Sequence, residues 1–280
     1  MGILLGILAA TVWGIAGVAG GLAARLVGPT RAIAWAMMLG MVVAVPLALA
    51  SGAPGRIDVR TGLWILLISA CMLAGLVCVY AGMRYGSISV VAPISATYGG
   101  VAALIAIVAG DPVTGLAIGA LSLAVVCAVL AARGETATPG AAYSNQRVAA
   151  LLGAGAAVVW GVQLWAGGQI QDDLGASWLV ASARMIGVLV IALPLLLRGG
   201  LRVERKALPY LLVAGVGEVC GFTLYLFDTE YGIAQAAVLT GQYGTVAALI
   251  GIFVLKERLQ FTQIIGLVLI VIAVIGLALA

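Results

Sequence analysis

Continuous apolar stretches of about twenty residues follow one another along almost the whole chain, and nothing else in the sequence limits the fold so strongly. A helix needs roughly 20 apolar residues to cross about 30 Å of hydrocarbon. Charged or turn-forming residues cut the 280-residue chain into ten such segments: about 3–23, 32–51, 62–82, 87–109, 113–132, 148–168, 176–197, 207–227, 232–255 and 260–280. Strands of a membrane barrel alternate apolar and polar residues over about ten positions, whereas these blocks are apolar throughout. The expected class is therefore an all-α integral membrane protein with ten transmembrane helices. Composition excludes a water-soluble globule, because 64% of the residues are apolar and only 9% are charged, against about 25% in an average soluble domain. The first block lacks the basic start and small-residue cleavage site of a secretory signal, so it is expected to stay as the first helix.

The net charge of +4 does not point to nucleic acid, since the cations stand singly or in small groups between apolar blocks, with no basic helix. Cys71, Cys78, Cys127 and Cys220 lie inside apolar blocks without CxxC spacing, and the chain has no histidine. Neither a metal site nor a disulfide framework is expected, and no nucleotide-binding glycine loop is present, so no cofactor is expected. No nucleophile and base are recognisable together, which disfavours an intramembrane enzyme. A channel lacks support, because rings of identical pore-lining charges are missing.

Lys and Arg stay preferentially on the cytoplasmic side of a membrane. The loops after the first, third, fifth, seventh and ninth segments hold eleven of them, while the opposite side holds Arg56 and Arg60. Both termini are therefore expected to face outward.

The two halves of the chain resemble each other. ATVWGIAGVAGGLAARLVG from Ala10 aligns with AVVWGVQLWAGGQIQDDLG from Ala157, pairing Trp13 with Trp160, Gly14 with Gly161, Gly28 with Gly175 and, further on, Gly40 with Gly187. YGGVAALI from Tyr98 matches YGTVAALI from Tyr243. Five helices per half is an odd number, so the second copy must enter the membrane in the opposite sense. Inverted repeats of this kind are typical of secondary transporters, whose substrate site lies near the midplane between the copies. The polar segment 133–147, RGETATPGAAYSNQR, reads as the linker between a first repeat at 1–132 and a second at 148–280.

On the WG pair in the first helix of each half, the GG followed by Arg25, the stretch MRYGSISVVAPISATYGG around Pro93 and FVLKERLQFTQIIGLVLIVIAVIG with Glu257, the chain resembles a ten-helix, EamA-type member of the drug/metabolite transporter superfamily. The resemblance covers nearly the whole chain. It implies ten helices, alternating access, and export or uptake of small metabolites such as amino acids. The first-helix glutamate of the small four-helix relatives is absent, so no proton site carries over to that position.

Charges near the bilayer centre cost about 2.5–3.5 kcal/mol each on insertion scales and, where kept, face a cavity or a partner. Arg184 in the seventh segment and Glu218 in the eighth both fall there, opposite Met37 and Met72 of the first half. They either contact a charged substrate group or form a buried pair that fixes helix packing. Glu218, Gly221, Phe222 and Tyr225 share one helical face, as do Trp160, Gln163 and Gly167, while Gln235 and Gln242 lie seven residues apart. Gln163 and Gln242 should face the interior, because an amide in hydrocarbon needs a hydrogen bond. Trp13 and Trp160 lie deep in their helices, where they either stack on a substrate or pack on glycine; Trp35 is a weaker midspan candidate. Pro93 removes a backbone hydrogen bond inside the fourth segment, giving a gating bend or a static kink.

The resulting expectation is a secondary carrier in the cell membrane, with efflux as the favoured direction. Its partners would be a small-molecule substrate, the lipid bilayer and a coupling ion or proton, with a homodimer left open. The alternative is a scaffold or accessory subunit with an occluded core, which would need a tight Arg184–Glu218 pair and no water-accessible cavity.

Overall fold

The computed structural model describes residues 2–55, 57–110, 145–232, 236, 239–256, 261, 265 and 269. It is helical, with no strand among the described residues. The helices are α1 (Gly2–Val27), α2 (Pro29–Ala50), α3 (Val59–Tyr85), α4 (Ile88–Ser95), α5 (Tyr98–Ala109), α6 (Gln146–Leu174), α7 (Ala176–Gly187), α8 (Leu208–Asp228) and α9 (Tyr243–Phe253). A π-helical turn, Val188–Ala192, carries α7 on to Leu197. Among the described residues, seven helical stretches are long and apolar enough to cross a membrane, with α4 and α5 counted together as one. The expected fifth segment, most of the tenth, Asp111, Cys127, Gln235, Glu257 and most of the linker lie outside the described residues. Gln146 and Arg147, assigned to the linker, already belong to α6.

Lipid cannot drive two apolar helices together as water does, so close contact depends on small residues at the seams. The buried positions of α1 follow this rule, being Gly, Ala or Val without exception. Large side chains such as Val42, Leu63, Leu151 and Leu197 stand exposed on the outside. Local signals set the helix ends. Asp58 accepts a hydrogen bond from the Thr61 amide at 2.8 Å to cap α3, and Asn145 accepts one from Val148 at 3.1 Å to cap α6. Gly28 and Gly175 turn the chain between paired helices at φ of 88° and 90°, a conformation that costs glycine little. Arg25 caps the other end of α3, donating to the Met83 carbonyl at 2.9 Å and the Gly86 carbonyl at 3.1 Å.

The contacts between the halves recur with the halves exchanged. Gly14 packs on Val246 and the Tyr243 carbonyl, and its counterpart Gly161 packs on Val101 and the Tyr98 carbonyl. Gly40 lies against Val219 and Arg184, and Gly187 against Leu73 and Met37. Trp13 rests on Gly221, and Trp160 rests on Gly75. As a result, α1 pairs with α8 and α3 with α6 along their lengths.

Three expectations need correction. The fourth segment is not one helix, because the chain turns at Ala96–Thr97 between α4 and α5. The ninth is likewise interrupted at Gly241–Gln242, just before α9. The expected eighth segment ends at 227, yet Asp228 is the last residue of α8. It is fully buried against Gly2 and Gly6, and neither carboxylate oxygen has a hydrogen-bond partner among the described residues.

Candidate functional site

The two chain breaks explain how the centre is built. Thr97 and Gln242 take nearly the same backbone conformation, φ −69°, ψ 0° and φ −68°, ψ −5°. Pro93 sits inside α4, yet its counterpart by the YGG/YGT alignment is Val238, so proline alone does not make the break. The bend comes three residues after Pro93, where the Thr97 hydroxyl bonds the Ile94 carbonyl at 2.8 Å. It lets Gly244 of α9 seat its backbone against Ala92, Pro93 and Ala96. Tyr98 and Tyr243, the residues directly after the two breaks, are thereby brought face to face with ring centroids 5.5 Å apart. The Tyr243 hydroxyl hydrogen-bonds the Ser95 hydroxyl. The Tyr98 hydroxyl faces Thr240, the equivalent of Ser95.

Around this pair lies an aromatic cluster. Trp160 meets Tyr98 and Tyr243 edge-on at 6.0 and 6.2 Å, and Trp13 meets Tyr98 edge-on at 6.4 Å. Trp13 also stacks with Phe222 at 6.4 Å and Tyr225 at 6.1 Å. The cluster walls a cavity of about 560 Å³ counted to its mouth, of which about 40 Å³ admits the centre of a water molecule. That is room for a few waters. Trp13, Trp160, Gln163, Arg184 and Glu218 all line it, joined by Tyr80, Tyr98 and Tyr243.

Arg184 is 1% exposed, and one terminal nitrogen lies 3.8 Å from the Glu218 carboxylate. The other lies 3.6 Å from the sulfur of Met37, its own counterpart in the first half. The Arg184 Cδ lies beside Gly40, where there is no side chain to exclude it. Such a pair is attractive yet open to exchange, since 3.8 Å exceeds hydrogen-bond distance.

Two expected site residues stand outside the cavity wall. Tyr225 is fully buried behind Trp13, its hydroxyl spent on the Leu164 carbonyl at 2.9 Å. Gln242 occupies the turn before α9, where its Oε1 accepts a hydrogen bond from Thr245 at 3.3 Å. Trp35 is tied to the loop after α7 by a 3.0 Å bond to the Leu201 carbonyl.

Both halves of the chain match the EamA-like transporter family, over residues 1–133 and 147–279. The chain belongs to this family. It is a membrane protein of a transporter family, with which the seven apolar helical stretches among the described residues agree. No curated protein matches the sequence. A protein known from its crystal structure shares the fold at a TM-score of 0.68 and 15% identity, with 99% of this chain and 96% of that one covered.

Tyr80 was not found from the sequence. Its hydroxyl packs on Gly20 of α1, and the residue forms part of the cavity wall.

Proposed function

We propose that this EamA-family protein is a secondary active transporter of small metabolites, amino acids or amphipathic compounds, working by alternating access with efflux as its direction. The observation that carries the reading is the central cavity, walled by equivalent tryptophans and tyrosines from both halves with one charged pair inside. Contacts that recur with the halves exchanged support ten helices in two inverted repeats, 1–132 and 148–280, joined by 133–147. The narrow water-sized space fits a carrier between its two open states. A scaffold with an occluded core would pair Arg184 and Glu218 tightly and leave no cavity; the 3.8 Å separation of the pair and the cavity beside it favour the carrier.

In this reading Trp13, Trp160 and Gln163 contact substrate, and Arg184 or Glu218 meets its charged group or titrates during transport. Tyr225 and Gln242 support the cavity from behind and from the break, and the bend after Pro93 serves as a gating hinge. The protein sits in the cell membrane with both termini outward and couples to a proton or ion gradient. Reconstitution tests this directly. Saturable uptake into proteoliposomes that answers to a gradient or a counter-substrate is the expected result, and flux indifferent to both removes the carrier role.

A further inference from the structure

Asp228 lies away from the cavity and is the one fully buried acid among the described residues. It ends α8, and its two carboxylate oxygens lie against Gly2 and Gly6 of α1, with Tyr231 and Leu239 beside them. Neither oxygen has a hydrogen-bond partner among the described residues. Burying an ionised carboxylate requires a partner, whereas a neutral acid is far easier to bury. From α1, the charge that acts on Asp228 is that of the amino terminus. On its own side stand Tyr225, one turn earlier with its hydroxyl bonded to Leu164, and the exposed Glu230 and Tyr231. The ninth segment contributes only Leu239. The corresponding seam, where the end of α3 meets the start of α6, is built differently. In the Trp13–Trp160 register Ala149 is the counterpart of Gly2 and Gly153 that of Gly6. The Ala149 carbonyl faces Gly82, Gly153 faces Val91 and Ile94, and neither α3 nor that end of α6 carries an acid.

We infer that Asp228 is a proton-binding site that governs the seam between α1 and α8: the protonated acid lies closed against Gly2 and Gly6, and loss of the proton parts the seam. Resting on the carrier reading above, this opens the central cavity on the side of the amino terminus. The ionised carboxylate gains water only by leaving the glycine face, and its proton goes to water at that mouth. No other bond changes. α1 connects the two places, because Gly2 and Gly6 touch Asp228 while Trp13 and Gly17, two to three turns further on, line the cavity. Trp13 also stacks with Tyr225, one turn before Asp228. Only one of the two seams carries the acid, so a proton acts on one mouth of the carrier and not on the other.

The test uses Gly17→Cys in a full-length protein otherwise free of cysteine, in right-side-out and inside-out vesicles held at one pH on both faces. The ratio of maleimide labelling from the amino-terminal side to labelling from the other side rises with pH, by up to about tenfold per unit, the limit for one proton. Taking the ratio cancels the response of the thiol itself to pH. Asp228→Asn, which keeps the shape of the neutral acid, holds the ratio low and flat. A neutral Gly-Ser extension ahead of the first residue moves the amino group away and leaves the pH response in place. Loss of the response in that extended protein makes Asp228 the partner of the amino terminus in a plain ion pair and overturns the proposal, with no variant of Asp228 needed. A ratio that is flat in the parent, or that moves as much in Asp228→Asn, also overturns it; labelling from both sides then leaves the carrier reading standing. Labelling from a single side at every pH removes that reading and the proposal with it.

Discussion

Tyr98 and Tyr243 stack at the centre of the protein with ring centroids 5.5 Å apart and planes 13° from parallel. They occupy equivalent places in the two halves, each opening a helix after a two-residue break. On one side of the pair the Tyr243 hydroxyl hydrogen-bonds Ser95, and on the other the Tyr98 hydroxyl faces the equivalent residue, Thr240.

Removing either side of the Ser95–Tyr243 bond tests whether it locks the two breaks together. Interhelical side-chain hydrogen bonds in membranes average about 0.6 kcal/mol. Ser95→Ala and Tyr243→Phe should each lower the melting temperature by about 1–3 °C. The double variant should fall no further than the larger single one, since one bond is lost in all three. Thermal unfolding in detergent gives the answer, and additive losses would show that the bond is not the shared cause.

Trp13 on Gly221 and Trp160 on Gly75 set the width of the cavity. A methyl group at either glycine would occupy the place of an indole ring and push it toward the centre. Gly75→Ala and Gly221→Ala should therefore both cut transport severely while the helical spectrum is kept. Tryptophan fluorescence should report the displaced ring, and full activity in either variant would place the indoles outside the transport path.

Arg184 and Glu218 face each other inside the central cavity, 3.8 Å apart. Removing one partner leaves a buried charge alone, which is destabilising by about 3–5 kcal/mol for a tight pair and by less at 3.8 Å. Arg184→Met and Glu218→Gln should each lower the melting temperature, and the double variant should recover much of the loss. Met37, at the equivalent position in the first half, already lies against Arg184, 3.6 Å from its guanidinium. Transport should be absent in Arg184→Met and in the double variant, so stability and function separate.

The sequence made the membrane class legible because hydropathy is local, and the duplicated WG and YGG stretches made the two halves legible because aligned glycines became aligned contacts. Five of the expected site residues, Trp13, Trp160, Gln163, Arg184 and Glu218, line one cavity. The breaks at Ala96–Thr97 and Gly241–Gln242 were not legible, since proline drew attention to one half and nothing marked the other. Tyr225 shares a helical face with Glu218, but a face is wider than a cavity, and Trp13 stands in between. Tyr80 and the buried Asp228 depend on which glycines their helices meet, a long-range fact that periodicity does not carry.

Orientation rests on the Lys and Arg count alone. In a cysteine-free background, a single cysteine replacing Ser51, before the loop of Arg56 and Arg60, should react with an impermeant maleimide on intact cells. A cysteine replacing Gly199, in the basic loop after α7, should react only after permeabilisation. The reverse pattern would turn the protein over in the membrane.

Alternate exposure of the central cavity is tested most directly at Gly17, which lines it and where an added Cβ meets nothing nearer than a Tyr243 ring carbon at 3.9 Å. A cysteine at this position, in the same background, should be labelled by an impermeant maleimide in right-side-out and in inside-out vesicles alike, with the ratio shifting when a transported compound is present. Labelling from one side only, or from neither, would contradict a carrier that opens to both faces.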